Sequence, residues 1–430
     1  MEYKHRIADQ MLAKKLASKG AILIEGPKWC GKTTTASQLA NSILRMQDPS
    51  MREEYLATAK TKPSILLKGD TPRLIDEWQD APMLWDAVRT TVDDRQIPGQ
   101  FILTGSNAVD KSQIHHSGAG RIARLRMLPM SLWESQESTG EVSLKELFNN
   151  PDYDIDGKMS KMTVEDLIFA ASRGGWPASL LARTPKAQLL VAKNYVQTIC
   201  SDDVSGIDGK KRDAKLTSMI LRAYARNVST LVKKKSLLDD VTSSGEVSCH
   251  VDTFDDYVSA LEKLFVIQNI SAWCPAIRSK TAIRSSVKRC FCDPSIPIAL
   301  LGLSPESLSM QLRTFGFIFE QMCIRDLKAY TIDLNSHVSY YHDRYDLEAD
   351  IVLHLEDGRY ALIECKLGSS EIDEGAKHLL ELKRLIQEHN KTEKQVPIRE
   401  PDLLIVMTGG TMAYSRPDGV KVIPLACLKD

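Results

Sequence analysis

The 430-residue chain has no run of 18 apolar residues, and its opening MEYKHRIADQ lacks an apolar core. Neither a membrane span nor a secretory leader is therefore expected. A CxxC pair is also missing: the 9 cysteines, an odd number, are scattered, and Cys290 and Cys292 are the closest couple. That argues against a disulfide framework or a cysteine zinc site and points to reduced thiols in the cytoplasm. Nor does either charge predominate, since Lys+Arg and Asp+Glu each number 56. Nothing global attracts nucleic acid or membrane, so any such site must be a local patch. What remains, 43% apolar and 26% charged residues, is ordinary for a soluble globular protein, and the length admits roughly two to four domains.

The most informative stretch is Ala21–Thr35, AILIEGPKWCGKTTT. It reads as a buried strand, a glycine loop and the first turn of a helix. Within it Gly26, Pro27, Lys28, Trp29, Cys30, Gly31, Lys32 and Thr33 satisfy G-x-x-x-x-G-K-[ST] at every fixed position, with Thr34 next in the nucleotide-binding segment. Glycines let backbone N–H groups turn inward around phosphates, and the following helix dipole favours negative charge. Lys32 reaches the β/γ-phosphates, and the Thr33 hydroxyl serves Mg²⁺. Both required flanks are present, apolar Ala21–Ile24 before and a helical run Thr34–Leu44 after.

An amphipathic helix is expected at Ile7–Lys19, ahead of the first strand, and a short strand at Ser64–Lys68. Leu74 and Ile75 then end a buried strand, leaving Asp76 and Glu77 at its carboxyl end, where open α/β sheets place their ligands. Asp76 is suited to hold Mg²⁺ through water and Glu77 to polarise the attacking water. A further strand, Phe101–Leu103, ends in Thr104-Gly105-Ser106-Asn107, with Thr104 positioned to touch the γ-phosphate or the water. Arg121, before a fifth strand, is a candidate for stabilising the transferred phosphoryl group in cis or from a neighbouring subunit; Arg124 and Arg126 read as structural.

GPKWCGKT, LIDEWQ, ILTGSN, and GR followed by LPMSLWE together resemble the AAA+ ATPases of a large prokaryotic family whose C-terminal half is uncharacterised. Gly174-Gly175-Trp176-Pro177 fits a motif expected in the same family. The resemblance implies a parallel-sheet core and ATP as the nucleotide. The chain lacks an N-K-x-D guanine-reading motif and an LSGGQ signature.

Residues 136–209 read as a helical lid and connector. From about Lys210 the pattern becomes helices at Leu216–Arg226, Ser236–Val241 and Thr253–Leu264, then strands at Phe265–Ala272 and Lys288–Cys292 around a basic loop. This looks like a winged helix-turn-helix, which the resemblance also implies. Arg278, Lys280, Arg284, Lys288 and Arg289 suit phosphate contact. Asp252, Asp255 and Asp256 at the start of the third helix oppose a DNA groove, so a solvated or interdomain face is the equal alternative.

In the last 120 or so residues Asp350, Glu364 and Lys366 fit D-x(n)-E-x-K, the pattern of the restriction-endonuclease-like superfamily, with Glu320 on the preceding helix as a fourth member. Glu364 and Lys366 share a strand face. A two-residue Asp357-Gly358 turn would put Asp350 on the opposite face. A three-residue Glu356-Asp357-Gly358 loop, with Gly358 left-handed, places Asp350 opposite Glu364, pairs Ile351 with Ile363 and Val352 with Leu362, and is the expected register. Such carboxylates suit a second Mg²⁺ or Mn²⁺, with Lys366 positioning a hydroxide. The opposing reading is an ordinary hairpin with charged residues at its rim.

The expected fold class is therefore α/β: a P-loop AAA+ parallel-sheet domain (1–135), a helical lid (136–209), a winged helix-turn-helix (210–304) and a restriction-endonuclease-like α/β domain (305–430). The expected activity is ATP hydrolysis coupled to a winged-helix and nuclease-like module acting on DNA. The alternative is an ATP-switched regulatory or protein-interaction module whose nuclease-like domain is inactive. A protein partner and a homo-oligomer are both compatible with the sequence, and a membrane is not expected.

Overall fold

The computed structural model describes residues 3–107, 116–243, 245, 247–273, 275, 286–392 and 397–430. The chain divides into two compact units, Met1–Pro129 with Leu261–Val266, and Met130–Ala260 with Ile267–Asp430.

The first unit is built on a parallel sheet of β1 (Ala21–Glu25), β2 (Ser42–Arg45), β3 (Arg73–Asp76), β4 (Phe101–Gly105) and β5 (Ile122–Arg126), in the order β2-β3-β4-β1-β5. Central β1 is buried at all 5 positions, as expected of a parallel strand covered on both faces. Helix α1 (Ile7–Leu16) precedes it and α2 (Lys32–Ser37) follows its loop. Helices α3 (Arg52–Thr61) and α4 (Met83–Arg95) come later in the chain. Leu23, Leu44, Ile75, Phe101 and Leu103 pack with Trp78, Leu84, Trp85 and Val88 in one core.

Two expected elements differ. Ser64–Lys68 is not a strand, because Pro63, which has no N–H for a ladder, opens a 3₁₀ turn at Pro63–Ile65. The second strand comes instead from the end of the anticipated helix Thr34–Leu44. That helix stops at Ser37, and the Asn41 N–H donates to Pro72 O (2.8 Å) to start pairing along β3.

The second unit opens with residues expected to be a lid, which here pair with the end of the chain. β6 (Val142–Ser143) lies parallel to a strand at Leu428–Lys429, and Ser138 Oγ donates to Leu428 O at 2.6 Å. The Gly174-Gly175 turn needs both glycines. A Cβ at Gly174 would come 2.4 Å from Ser295 Oγ, and one at Gly175 would come 2.1 Å from Met130 O. Next to it Trp176 is fully buried on Tyr195, with ring centroids 4.2 Å apart. Helices Ala214–Arg226, Lys234–Thr242 and Val251–Lys263 agree with the three expected. The two strands expected after them are reduced to antiparallel bridges, Ile267 with Phe291 and Ile270 with Lys288.

The second sheet holds β7 (His337–His342), β8 (Glu348–His354), β9 (Tyr360–Lys366), β10 (Leu403–Thr408), β11 (Tyr414–Ser415) and β12 (Lys421–Pro424), in the order β11-β12-β10-β9-β8-β7. β7, β8 and β9 are antiparallel neighbours, while β10 runs parallel to β9 and β12. Helix Ile372–Thr392 connects β9 to β10 and buries Leu379, Leu382 and Ile386 against Val352, Leu362 and Val406. In the hairpin Ile351 pairs with Ile363 and Val352 with Leu362, and Gly358 takes φ 87°, so the three-residue loop is the one formed.

Trp85 carries much of the first core: it is fully buried, lies 5.0 Å from the Trp78 ring and donates from Nε1 to His116 O at 2.8 Å. Trp85→Ala should therefore cost about 3–5 kcal/mol, read as a lower urea midpoint for the first unit's transition.

Candidate functional site

At the end of β1 the chain turns through Gly26 (φ 155°) into a loop closed by left-handed Gly31 (φ 100°), the residue that caps α2. A Cβ on Gly26 would sit 2.1 Å from Met127 O, so only glycine permits this approach. Inside the loop Lys32 Nζ donates to Gly26 O (3.0 Å) and Pro27 O (2.9 Å). Its ammonium thus lies within the concavity of the loop. Cys30 is buried, whereas Trp29 is 44% exposed at the loop's tip with φ 65°. The loop is braced from behind by buried Arg6, whose guanidinium donates to Cys30 O and Leu128 O, both at 2.7 Å.

Two strands deliver the remaining groups to the same edge. Asp76 ends β3, and its Oδ1 accepts from Thr33 Oγ1 and from Thr104 Oγ1 on β4, each at 2.7 Å. Thr33 and Asp76 together form an all-oxygen donor set of the kind that suits Mg²⁺. Glu77 adopts left-handed φ 54°, a conformation that costs a non-glycine residue of order 1 kcal/mol. Its carboxylate is held by Ser106 Oγ (3.2 Å) and by a short hydrogen bond from Gln79 Nε2, and its N–H donates to Thr104 Oγ1 (3.3 Å).

Arg121 does not join them. Its carbonyl accepts from Ala21 N–H at the start of β1 (3.1 Å), and its Nε donates to Asp93 Oδ1 (2.7 Å). Five strand residues, about 17 Å, separate that edge from the glycine loop. The expected action in cis is therefore corrected, because parallel pairing puts Arg121 at the wrong end of the sheet. Arg124 and Arg126 both pair with Glu25, at 3.3 and 3.8 Å.

In the second unit the expected acidic group is assembled, but around lysines. Lys288 Nζ lies 2.5 Å from Glu320 Oε1 and 3.7 Å from Asp350 Oδ1, and donates to Asp350 O at 3.0 Å. Burial pulls the Lys288 pKa down, but Glu320 and Asp350 outweigh it and hold the ammonium charged. Asp350 Oδ2 accepts from Cys365 N–H (2.8 Å). Lys366 Nζ lies 2.9 Å from Oε2 of fully buried Glu364, whose Oε1 has no donor among the described residues. His378 Nδ1, on helix Ile372–Thr392, is 3.6 Å from the same Oε2. Among the described residues no three His, Cys, Asp or Glu side chains are grouped to hold a metal ion. The expected second Mg²⁺ or Mn²⁺ is unsupported by this geometry, in which the carboxylate oxygens face Lys288, Lys366 and the Cys365 N–H.

The basic patch is also corrected. Lys288 is interior, and so is Arg289, whose guanidinium donates to Tyr224 Oη (3.2 Å) and to Val232 O (3.3 Å from Nε, 3.2 Å from Nη2). Neither can lie along phosphates. Arg278, Lys280 and Arg284 fall outside the described residues.

Residues 18–136 match the family model of an AAA domain. Most of that stretch lies in the first unit, which is thus similar to an AAA domain. Residues 164–307 match a domain of unknown function, DUF8612, and residues 315–428 another, DUF4143. Uncharacterized proteins of Mycobacterium bovis and Mycobacterium tuberculosis are each 23% identical to this chain over 370 residues, covering 84% of it and 73% of the relative. A Walker-type ATPase of Pyrococcus abyssi is similar at 12% identity over 68% of this chain and 94% of its own, with a TM-score of 0.40. A Thermotoga maritima RuvB mutant shares 17% identity over 62% and 93%, with a TM-score of 0.25. Likeness that slight carries no argument about this chain. No helix among the described residues is long and apolar enough to cross a membrane.

Four contributors to these sites escape sequence reasoning. Arg6 has no motif around it, and Gln79 reads as a loop residue. His378 looks like part of an amphipathic helix, and Lys288 like part of a wing. For His378 the Glu364 carboxylate raises the pKa above its usual value, while partial burial opposes that. A raised folded-state pKa means that the protonated ring stabilises the fold. The contribution is complete below about 6.5, the unfolded value, and is lost as pH rises through the folded one. His378→Gln should accordingly lower the thermal midpoint more at pH 6 than at pH 8.5, as scanning calorimetry at the two pH values would read.

Proposed function

We propose that the first unit binds ATP with Mg²⁺ and hydrolyses it, driving a change that the second unit transmits to a partner. The observation that carries this reading is the hydrogen-bonded set Thr33–Asp76–Thr104 beside a glycine loop with Lys32 inside it. The loop's inward N–H groups would cradle the phosphates, and Lys32 would exchange its two carbonyl partners for phosphate oxygens. Thr33 and Asp76 would hold Mg²⁺, which supplies charge neutralisation on the phosphates. Glu77 would orient and polarise the attacking water, with Ser106 and Gln79 fixing its carboxylate. Thr104 keeps Asp76 and the Glu77 backbone in register, making it a positioning residue in this reading.

For the second unit, ATP-switched recognition of a protein is favoured over action on DNA. What favours it is that Lys288 and Arg289, two of the five basic residues suited to phosphate contact, are spent in the interior. A salt-sensitive affinity for duplex DNA in fluorescence anisotropy would reverse that preference.

Phosphate release tests the first claim. Lys32→Ala should lower turnover at least ~100-fold, and Glu77→Gln should do the same while nucleotide affinity stays within about threefold. Equal background release by wild type and Lys32→Ala would overturn the assignment.

A further inference from the structure

We propose that the acidic group of the second unit takes its cation from the chain itself: the Lys288 ammonium occupies the position between Glu320 and Asp350 that a divalent metal would fill in a nuclease-like site. The proposal is independent of the nucleotide site.

The partners of Lys288 Nζ are a carboxylate oxygen of Glu320 at 2.5 Å, the main-chain oxygen of Asp350 at 3.0 Å and a carboxylate oxygen of Asp350 at 3.7 Å. Two carboxylates and a carbonyl are the ligands a hard divalent cation selects. Here they surround a nitrogen. The side chains concerned are only 6% exposed for Lys288, 10% for Glu320 and 11% for Asp350, so an incoming ion would have to displace the ammonium. Displacement is resisted by the backbone. Lys288 N–H donates to Ile270 O (2.9 Å) and its carbonyl accepts from Ile270 N–H (3.1 Å), which fixes where the side chain enters.

The rest of the group is occupied in the same manner. Asp350 Oδ2 is taken by Cys365 N–H, and Glu364 Oε2 by Lys366. Helix Ile372–Thr392 closes over the second pair at Gly375, where a Cβ would meet Glu364 Cβ at 3.2 Å and Lys366 Cε at 3.3 Å. Three carboxylates thus face two ammonium groups, with His378 beside Glu364. Both oxygens of Glu364 lack a hydrogen-bond donor among the described residues, Oε2 being ion-paired with the Lys366 ammonium at 2.9 Å, and one carboxylate supplies fewer ligands than the several that a divalent cation needs.

The test is Mn²⁺ binding to the full chain without nucleotide, by titration calorimetry and by loss of the free-ion paramagnetic resonance signal. Four proteins are compared: wild type, Asp350→Asn, Lys288→Met, and Lys288→Met with Asp350→Asn. Wild type and Asp350→Asn should bind alike, since any shared signal then comes from elsewhere in the chain. Lys288→Met keeps the length of the side chain, removes its charge, and should gain a site at least ~10-fold tighter than any in wild type, lost again in the double variant. Asp350-dependent Mn²⁺ binding by wild type would overturn the proposal. A Lys288→Met protein that keeps the wild-type circular dichroism yet gains no site would likewise overturn the role of Lys288. Should that variant fail to fold, the wild-type and Asp350→Asn pair decides: equal binding supports the proposal and a difference refutes it.

Discussion

Parallel pairing of β1 with β4 and β5, and of β3 with β4, is the constraint on which the first unit depends. All five strands point their carboxyl ends to one edge, so whatever follows each strand meets there. The glycine loop follows β1, Asp76 and Glu77 end β3, and Thr104 lies near the end of β4. Residues far apart in sequence become hydrogen-bonding neighbours with no contribution from local propensity. The same constraint removes Arg121, which sits before a strand rather than after one. An arginine finger working on its own chain's phosphates would have to come from elsewhere.

How far the sequence reveals this follows from what kind of signal each feature leaves. The glycine loop is legible because its backbone demands particular residue types at fixed spacing. The C-terminal hairpin is legible because period-two burial and a left-handed Gly358 admit one register in which the apolar residues pair. By contrast, Ser42–Arg45 is four residues long, and its two apolar positions fit the tail of a helix as well as a strand. Lys288 shows the harder limit. Its neighbours in sequence are basic and suggest a wing, while its partners lie 32 and 62 residues away, and only the tertiary fold decides whether an ammonium faces solvent or carboxylates. Arg6 is the same case in the first unit, a buried guanidinium whose carbonyl partners have no side-chain signature.

The two units contrast in how they handle charge. In the first, Asp76 is hydrogen-bonded to neutral hydroxyls, which orient the carboxylate without neutralising it and leave its charge available to a cation. In the second, Glu320, Asp350 and Glu364 are buried more deeply, and burial of an unpaired carboxylate costs several kcal/mol unless a positive group accompanies it. The fold supplies that group in Lys288 and Lys366. An acidic constellation neutralised from within is stable in the resting protein, but it holds no strong field to draw in a metal ion. The motif D-x(n)-E-x-K specifies where carboxylates stand along two strands and is silent about the lysine arriving from a third segment. Position of the acids and availability of their charge are separate properties, and reaction chemistry depends on the second.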